Sequence, residues 1–186
     1  HALPLPAARP SYECVPTGVP RGKGDAIACA RDELVRHGAT MDSMAGLKPA
    51  FDKAGTVTAA NASGLNDGAA AVVVMSAAKA RELGLTPLAT IRAYASAGLD
   101  PKVMGMGPVP ASKRCLSRAG WSVNALDLLE IHEAFAAQAL AAHQQLGWDT
   151  SNVNVHATAL AIGHPIGPSR SRTLPPLPRA LPPRRA

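Results

Sequence analysis

Proline is crowded into the two ends of this chain, and that distribution limits where a fold can form. Pro4, Pro6, Pro10, Pro16 and Pro20 fall within residues 1–22, and Pro175, Pro176, Pro178, Pro182 and Pro183 within residues 174–186. Proline fixes φ and donates no backbone hydrogen bond, so neither end can supply a regular ladder or an interior helical turn. Residues 1–22 therefore read as extended and poorly ordered, and residues 173–186 as a disordered Arg/Pro tail. Folding is confined to the stretch between them. With 47% apolar residues in 186, the chain suffices for one domain of ordinary size or for part of a larger one.

Within that stretch the apolar content is mostly Ala, Val and Leu, and aromatics make up only 3%. Small side chains suit closely packed helix and sheet layers. Asp42 or Ser43 is placed to cap a short helical turn that Pro49 stops. Residues 56–61 are β-rich and run into a turn cluster ending at Asp67-Gly68. Residues 69–75 form a continuous apolar run that reads as a buried strand. Ser76 then caps a helix to about Leu83, with Gly84 at its C′ position and Pro87 beyond. Residues 88–95 read as a second strand, 98–110 as a Gly/Pro/Met-rich loop, and 111–119 as a helix ending at Gly120. Residues 126–131 read as a third strand and 133–146 as an Ala-rich helix closed by Gly147. Residues 152–155 and 159–162 read as strand pieces. Strands alternating with helices predict a layered α/β fold.

The formal charge of +6 sits mainly in the tail, as Arg170, Arg172, Arg179, Arg184 and Arg185 with no acid among them. That tail has no interleaved aromatics, so nucleic acid is not an expected partner. No apolar run reaches the ~18–20 residues of a membrane span, and no signal peptide opens the chain, so no membrane partner and a cytoplasmic setting are expected. Cys14, Cys29 and Cys115 are odd in number and unrelated in spacing. Neither a disulfide framework nor a metal site is expected from them.

Two histidines stand where chemistry is possible. His164 lies in Gly163-His164-Pro165-Ile166-Gly167. Pro165 biases His164 away from the α region, and the flanking glycines permit positive φ or close approach. The imidazole sits on a stiff turn, as a general base would require, or as a structural loop histidine would also allow. His132 opens His132-Glu133-Ala134-Phe135-Ala136 at a strand-to-helix junction. There it either stabilises developing negative charge beside a helix N-terminus or simply caps the helix.

Several motifs occur together and in order: Arg36-His37-Gly38-Ala39-Thr40, Leu47-Lys48-Pro49-Ala50-Phe51, residues 56–70 around Asn61-Ala62-Ser63-Gly64, Met104-Gly105-Met106-Gly107-Pro108, and the two histidine motifs. On these residues the chain resembles the thiolases, nearest the bacterial biosynthetic acetyltransferase branch, over residues 31–169 and more weakly from Lys23. The resemblance implies a layered α/β/α/β/α fold of which only the C-terminal part is present. The end of a CoA-binding loop domain falls at residues 23–65, the last strand and helix of the N-terminal half at 66–86, and an incomplete C-terminal half at 87–172. It also implies a Claisen condensation of two acetyl-CoA to acetoacetyl-CoA and CoA, or the reverse, with coenzyme A as substrate and no separate cofactor. A homo-oligomer, specifically a tetramer, is implied as well.

By the same resemblance His164 activates a nucleophilic cysteine and helps form an oxyanion hole. His132 stands where the family usually has a water-holding asparagine, and histidine there also occurs in thiolases for longer acyl chains. Ser63 and Gly64 would contact the CoA pantetheine arm, Arg36 and Ser43 its adenine nucleotide end, and Met104 and Phe135 the acyl group; ordinary core packing explains the last two nearly as well. Neither family cysteine motif is matched by Cys14, Cys29 or Cys115, so this chain alone is expected to be inactive. After the His164 loop the family's small-residue helix start is replaced by Pro168-Ser169-Arg170-Ser171-Arg172. The alternatives are a 3-ketoacyl-CoA thiolase of β-oxidation, suggested by His132, and a non-catalytic CoA-binding module.

Overall fold

A computed structural model of the chain describes residues 15–31, 33–36, 38–155 and 159–174. Residues 1–14 and 175–186, which carry most of the expectations of disorder, lie outside the described residues, as does Cys14. The described part of the first segment is not shapeless. Strand β1 (Thr17–Val19) pairs antiparallel with β2 (Ile27–Cys29), Gly18 opposite Ala28. Pro16 and Pro20 flank β1 without entering it, so the missing N–H groups fall outside the ladder. The expectation of a structureless 1–22 is corrected to that extent.

The helices follow their caps. Helix α1 (Met41–Ala45) is capped by Thr40, two or three residues before the position expected at Asp42 or Ser43. Ser43 instead completes a capping box, accepting from the Thr40 N–H at 2.9 Å while Thr40 Oγ1 accepts from the Ser43 N–H at 3.2 Å. Helix α2 (Ala77–Glu82) starts at Ser76, whose Oγ accepts from the Lys79 N–H at 3.1 Å, and Gly84 follows it at φ 64°. Helix α3 (Pro108–Ala119) begins three residues earlier than expected, because a proline in the first turn lacks only an N–H that has no intrahelical partner there. Gly120 ends it in the left-handed region at φ 70°. Helix α4 (Ala136–Leu146) starts three residues later than expected, with Phe135 at its N-cap. The 159–162 stretch, expected as a strand, is helix α5 (Ala159–Ile162). Helix α6 (Ser169–Thr173) is an element the sequence does not predict, and it carries the helical chain one residue into the stretch expected as the tail.

The core is small and made by α3, α4 and the chain around them. Val109, Ile131, Ala142, Leu146 and Trp148 are buried together, with Met106, Val123, Leu129 and Val153 packed against them. The expected strand at 126–131 is reduced to one parallel bridge, Leu129 with Val153. Its bonds run from Leu129 N–H to Asn152 O and from Asn154 N–H to Leu129 O, both 2.9 Å. The side chain of Asn154 then takes over the role of a neighbouring strand. Its Oδ1 accepts from the Ile131 N–H at 2.8 Å and its Nδ2 donates to the Ile131 carbonyl at 3.1 Å. Asn154 is buried and sits at φ 53°, a conformation asparagine tolerates better than most residues. This pairing fixes the backbone immediately before His132.

The other two expected strands, 69–75 and 88–95, form no ladder among the described residues. A strand is defined by a hydrogen-bonded backbone neighbour; helix α3 reaches residues 88–95 only by a side chain, Arg118 Nη1 donating to Tyr94 O at 2.7 Å, and neither stretch has a ladder partner among the described residues. The side chains meant for burial are therefore in water: Val73 is 86% exposed, Leu88 85% and Ile91 67%. Each such side chain forgoes about 1.5–3 kcal/mol of burial, and a patch of this kind drives association. No helix among the described residues is long and apolar enough to cross a membrane. We expect the purified chain to sediment as associated species over a wide concentration range. Val73→Lys combined with Ile91→Lys should shift the sedimentation-velocity distribution toward monomer, whereas a sharp wild-type monomer would contradict this account.

Candidate active site

The site is assembled by residues 61–65, which lie between the two histidine loops and bond to both. On one side the Ser63 N–H and Oγ both donate to the Ala134 carbonyl, at 3.0 and 3.2 Å, and the Ala136 N–H donates to Asn61 O at 2.9 Å. Ala62 thereby bridges Phe135 in antiparallel fashion. On the other side the His164 N–H donates to Gly64 O at 2.7 Å, and Leu65 bridges His164 in parallel fashion. The His132 and His164 rings meet with centroids 4.1 Å apart and planes tilted by 54°.

Each imidazole is held by its surroundings. The His164 turn begins at Gly163, at φ 81°, where an added Cβ would lie 2.7 Å from Asn66 Cγ and 2.8 Å from Leu34 Cδ2. Both the backbone angle and the space demand glycine there. Helix α6 closes the loop from below: His164 Nδ1 lies 2.6 Å from Ser169 Oγ, and the Arg172 guanidinium donates to the carbonyls of Ile162, at 3.2 Å, and Gly163. Glu133 Oε2 accepts from the Leu160 N–H at 3.4 Å, joining the His132 loop to α5.

His132 is not the cap of α4, since that position belongs to Phe135. Its Nε2 is buried and makes no hydrogen bond. Burial first, and then the positive fields of His164 and Arg172, hold the His132 pKa below its ordinary value; Glu133 opposes and Arg170 adds slightly. The neutral ring is the form this site favours.

The structure brings His132, His164, Ser63, Gly64 and Phe135 together. Phe135 also packs edge-on to Phe51, with centroids 5.9 Å apart. Arg36 is exposed, and Ser43 is engaged in the α1 capping box. Met104, on a 3₁₀ segment (Pro101–Met106), is 75% exposed. No hydrogen bond joins Cys29 or Cys115 to either histidine. Three positioning contacts went unread in the sequence: those of Ser169, Arg172 and Asn154. The segment 168–172 read only as a departure from a small-residue helix start, although a serine five residues and an arginine eight residues after His164 is a spacing that a turn followed by helix brings back to the loop.

This geometry coincides with a known family. Residues 7–78 match the thiolase N-terminal domain and residues 85–185 the thiolase C-terminal domain, and the chain belongs to the thiolase family. The matches run into both proline-rich ends, beyond the residues 31–169 that the motifs cover. An acetyl-CoA acetyltransferase of Cupriavidus necator is 76% identical over 162 residues, 87% of this chain and 41% of that protein. The crystal structure of the Bacillus anthracis acetyl-CoA acetyltransferase superposes with a TM-score of 0.79 at 50% identity, over 85% of this chain and 40% of that one. Human mitochondrial 3-ketoacyl-CoA thiolase gives 0.73 at 41% identity, over 84% and 39%. The fold is thus that of the thiolases, and the chain spans about two fifths of the length of these relatives.

Two outcomes follow from the geometry. Gly163→Ala forces a side chain into the left-handed region, worth roughly 1–2 kcal/mol by itself, and against Asn66 and Leu34. It should lower the urea midpoint and broaden or shift the His132 and His164 imidazole resonances, while the resonances of His143, outside this loop, stay in place. For pH, a histidine held neutral by the fold binds its proton more readily when unfolded. The penalty is absent above the unfolded value of about 6.5, grows as pH falls below it, and levels off below the depressed folded pKa. Stability should therefore decrease as pH is lowered from neutrality through that window. His132→Asn should flatten the dependence without abolishing it, because His143 is shifted the same way by burial. Urea midpoints measured across that range check this.

Proposed function

We propose that this chain supplies the histidine pair and part of the CoA site of an acetyl-CoA C-acetyltransferase, which condenses two acetyl-CoA to acetoacetyl-CoA and CoA or runs the reverse. The observation that carries the reading is the contact of His132 with His164 beside the Ser63-Gly64 seam. Two imidazoles at one point can donate to a thioester oxygen and exchange protons near neutral pH. The unpaired, buried Nε2 of His132 is a polar atom that a bound acyl thioester or water would satisfy.

In this reading Ser63 and Gly64 lie along the pantetheine arm, Arg36 and Ser43 serve the adenine nucleotide end, and Phe135 with Met104 borders the acyl group. Coenzyme A enters as substrate and no separate cofactor is invoked. The name of the relative at 76% identity weighs for acetyl substrates over the longer chains that His132 suggested. A homo-oligomer, a tetramer by resemblance, and a cytoplasmic setting belong to the same reading, with nucleic acid and membrane excluded as partners.

The test is coenzyme A binding followed by intact-mass spectrometry. Coenzyme A should bind by calorimetric titration, and Ser63→Tyr, which fills the seam, should weaken binding at least tenfold; absence of binding would sink the proposal. Catalysis through a thioester needs a thiolate within reach of its base, and the described cysteines have no such contact. Incubation with acetyl-CoA should therefore leave the mass unchanged. A single acetyl adduct that vanishes in His164→Ala would instead identify one of the three cysteines as a nucleophile.

A further inference from the structure

The short helix after the histidine turn does more than close the loop. Ser169 is only 3% exposed, and its Oγ lies 2.6 Å from His164 Nδ1. That contact is the only hydrogen bond the hydroxyl makes among the described residues. It has two possible senses. If Nδ1 carried the proton and donated to Oγ, the hydroxyl hydrogen would be left buried with no acceptor, which is the costly arrangement for a polar group. If Oγ donates to Nδ1, the hydroxyl hydrogen and the ring lone pair satisfy one another, and the ring proton resides on Nε2. A hydroxyl hydrogen rotates to suit its partner, so the serine adopts the second sense at no structural cost.

We infer that Ser169 is a positioning residue that holds neutral His164 in its Nε2–H tautomer, so that the ring meets its ligand as a hydrogen-bond donor. Nδ1 is occupied, which leaves Nε2 as the ring nitrogen open to a ligand. The ligand group this suits is an acceptor, the carbonyl oxygen of an acyl thioester, whose negative charge grows as a nucleophile adds. Arg172 supports the same arrangement by holding the carbonyls of Ile162 and Gly163, so the backbone that carries the ring is fixed from the same helix. The inference rests on His164 being the imidazole of the proposed acyltransferase site, but its physical content is a proton position.

The experiment is magic-angle-spinning ¹⁵N NMR of the full chain labelled with ¹⁵N-histidine, at a pH well above the ordinary imidazole value of about 6.5. Sedimented or associated protein serves as well as monomer. His164 is assigned by the signals lost in His164→Gln. The wild-type spectrum should show a non-protonated Nδ1 and a protonated Nε2 for this residue. Ser169→Ala should convert those signals toward the opposite tautomer or a mixture, and Ser169→Thr, which keeps the hydroxyl, should restore them. A protonated Nδ1 in the wild type, or a His164 spectrum unchanged in Ser169→Ala, would overturn the inference. The His143 signals, set by the contact of that ring with Trp148, report whether a variant has kept its fold. If Ser169→Ala has lost it, the wild-type tautomer and the threonine variant decide. Coenzyme A is absent from the sample, so a chain that fails to bind it refutes the proposed acyltransferase reading without touching this result, and the converse also holds.

Discussion

Everything in the site depends on residues 61–65 being hydrogen-bonded on both sides. Remove the Ser63-to-Ala134 bonds and the His132 loop loses its register; remove the His164-to-Gly64 bond and the second histidine loses its backbone tie to the seam, keeping the side-chain contact of Asn66 with Ile162 O and the contacts of α6. Neither loop contributes a ladder of its own, so five residues of irregular chain do what a central strand does in a larger sheet. A Cβ at Gly64 or Gly163 would meet Leu34, at 2.9 and 2.8 Å respectively, and at Gly163 the positive φ and the nearby Asn66 side chain demand glycine as well. The Leu34 side chain thus packs over the seam and occupies the space that any larger residue at these positions would need.

The contrast between this site and the rest of the chain is one of partner supply. The core around Ala142 and Trp148 is closed because α3, α4 and the chain from 123 to 153 supply side chains that cover one another. Residues 69–75 are as apolar as that core, yet Val73, like Leu88 and Ile91 in the 88–95 stretch, is exposed because no ladder partner lies beside either stretch among the described residues. Burial is a property of pairs, and a chain that spans two fifths of its relatives' length can present the right residues without their counterparts. The site escapes this fate because its contacts are local to three loops.

What could be read in the sequence divides along the same line. Caps and stops are chemistry of a few adjacent residues, so Ser76, Gly84, Gly120 and Gly147 mark helix ends where the structure has them. The stiffness of the His164 turn is equally local. Strands are not, and an apolar run alone cannot say whether a neighbour exists; hence the sequence predicts ladders at 69–75, 88–95 and most of 126–131 that do not form among the described residues. The 159–162 stretch was too short for its period to distinguish helix from strand. The meeting of His132 with His164 is legible only in the two loop motifs together, while Ser169 and Arg172 are hidden because their roles depend on where a helix points them, which the departure from a small-residue helix start does not reveal.

Helix α6 forms from a sequence that does not favour it. Ser-Arg-Ser-Arg after a proline has neither the small residues nor the acidic first turn that favour a helix start, and Arg170 and Arg172 add positive charge beside two imidazoles. Propensity is a weak prior, and tertiary contacts routinely override it. Here the override is specific: Ser169 turns inward to His164, and Arg172, one turn along the same face, reaches the Ile162 and Gly163 carbonyls. The positive charge has a consequence for the chemistry as well. Burial and His164 come first in holding the His132 pKa down, and Arg172 adds to them, so the helix that fixes one imidazole by a hydrogen bond also contributes to the neutral form of the other. Two rings 4.1 Å apart could not both be charged without strong repulsion in a partly buried site. The sequence of α6, unpromising as a helix, is what orients His164 and adds to the fields that favour the neutral form of His132.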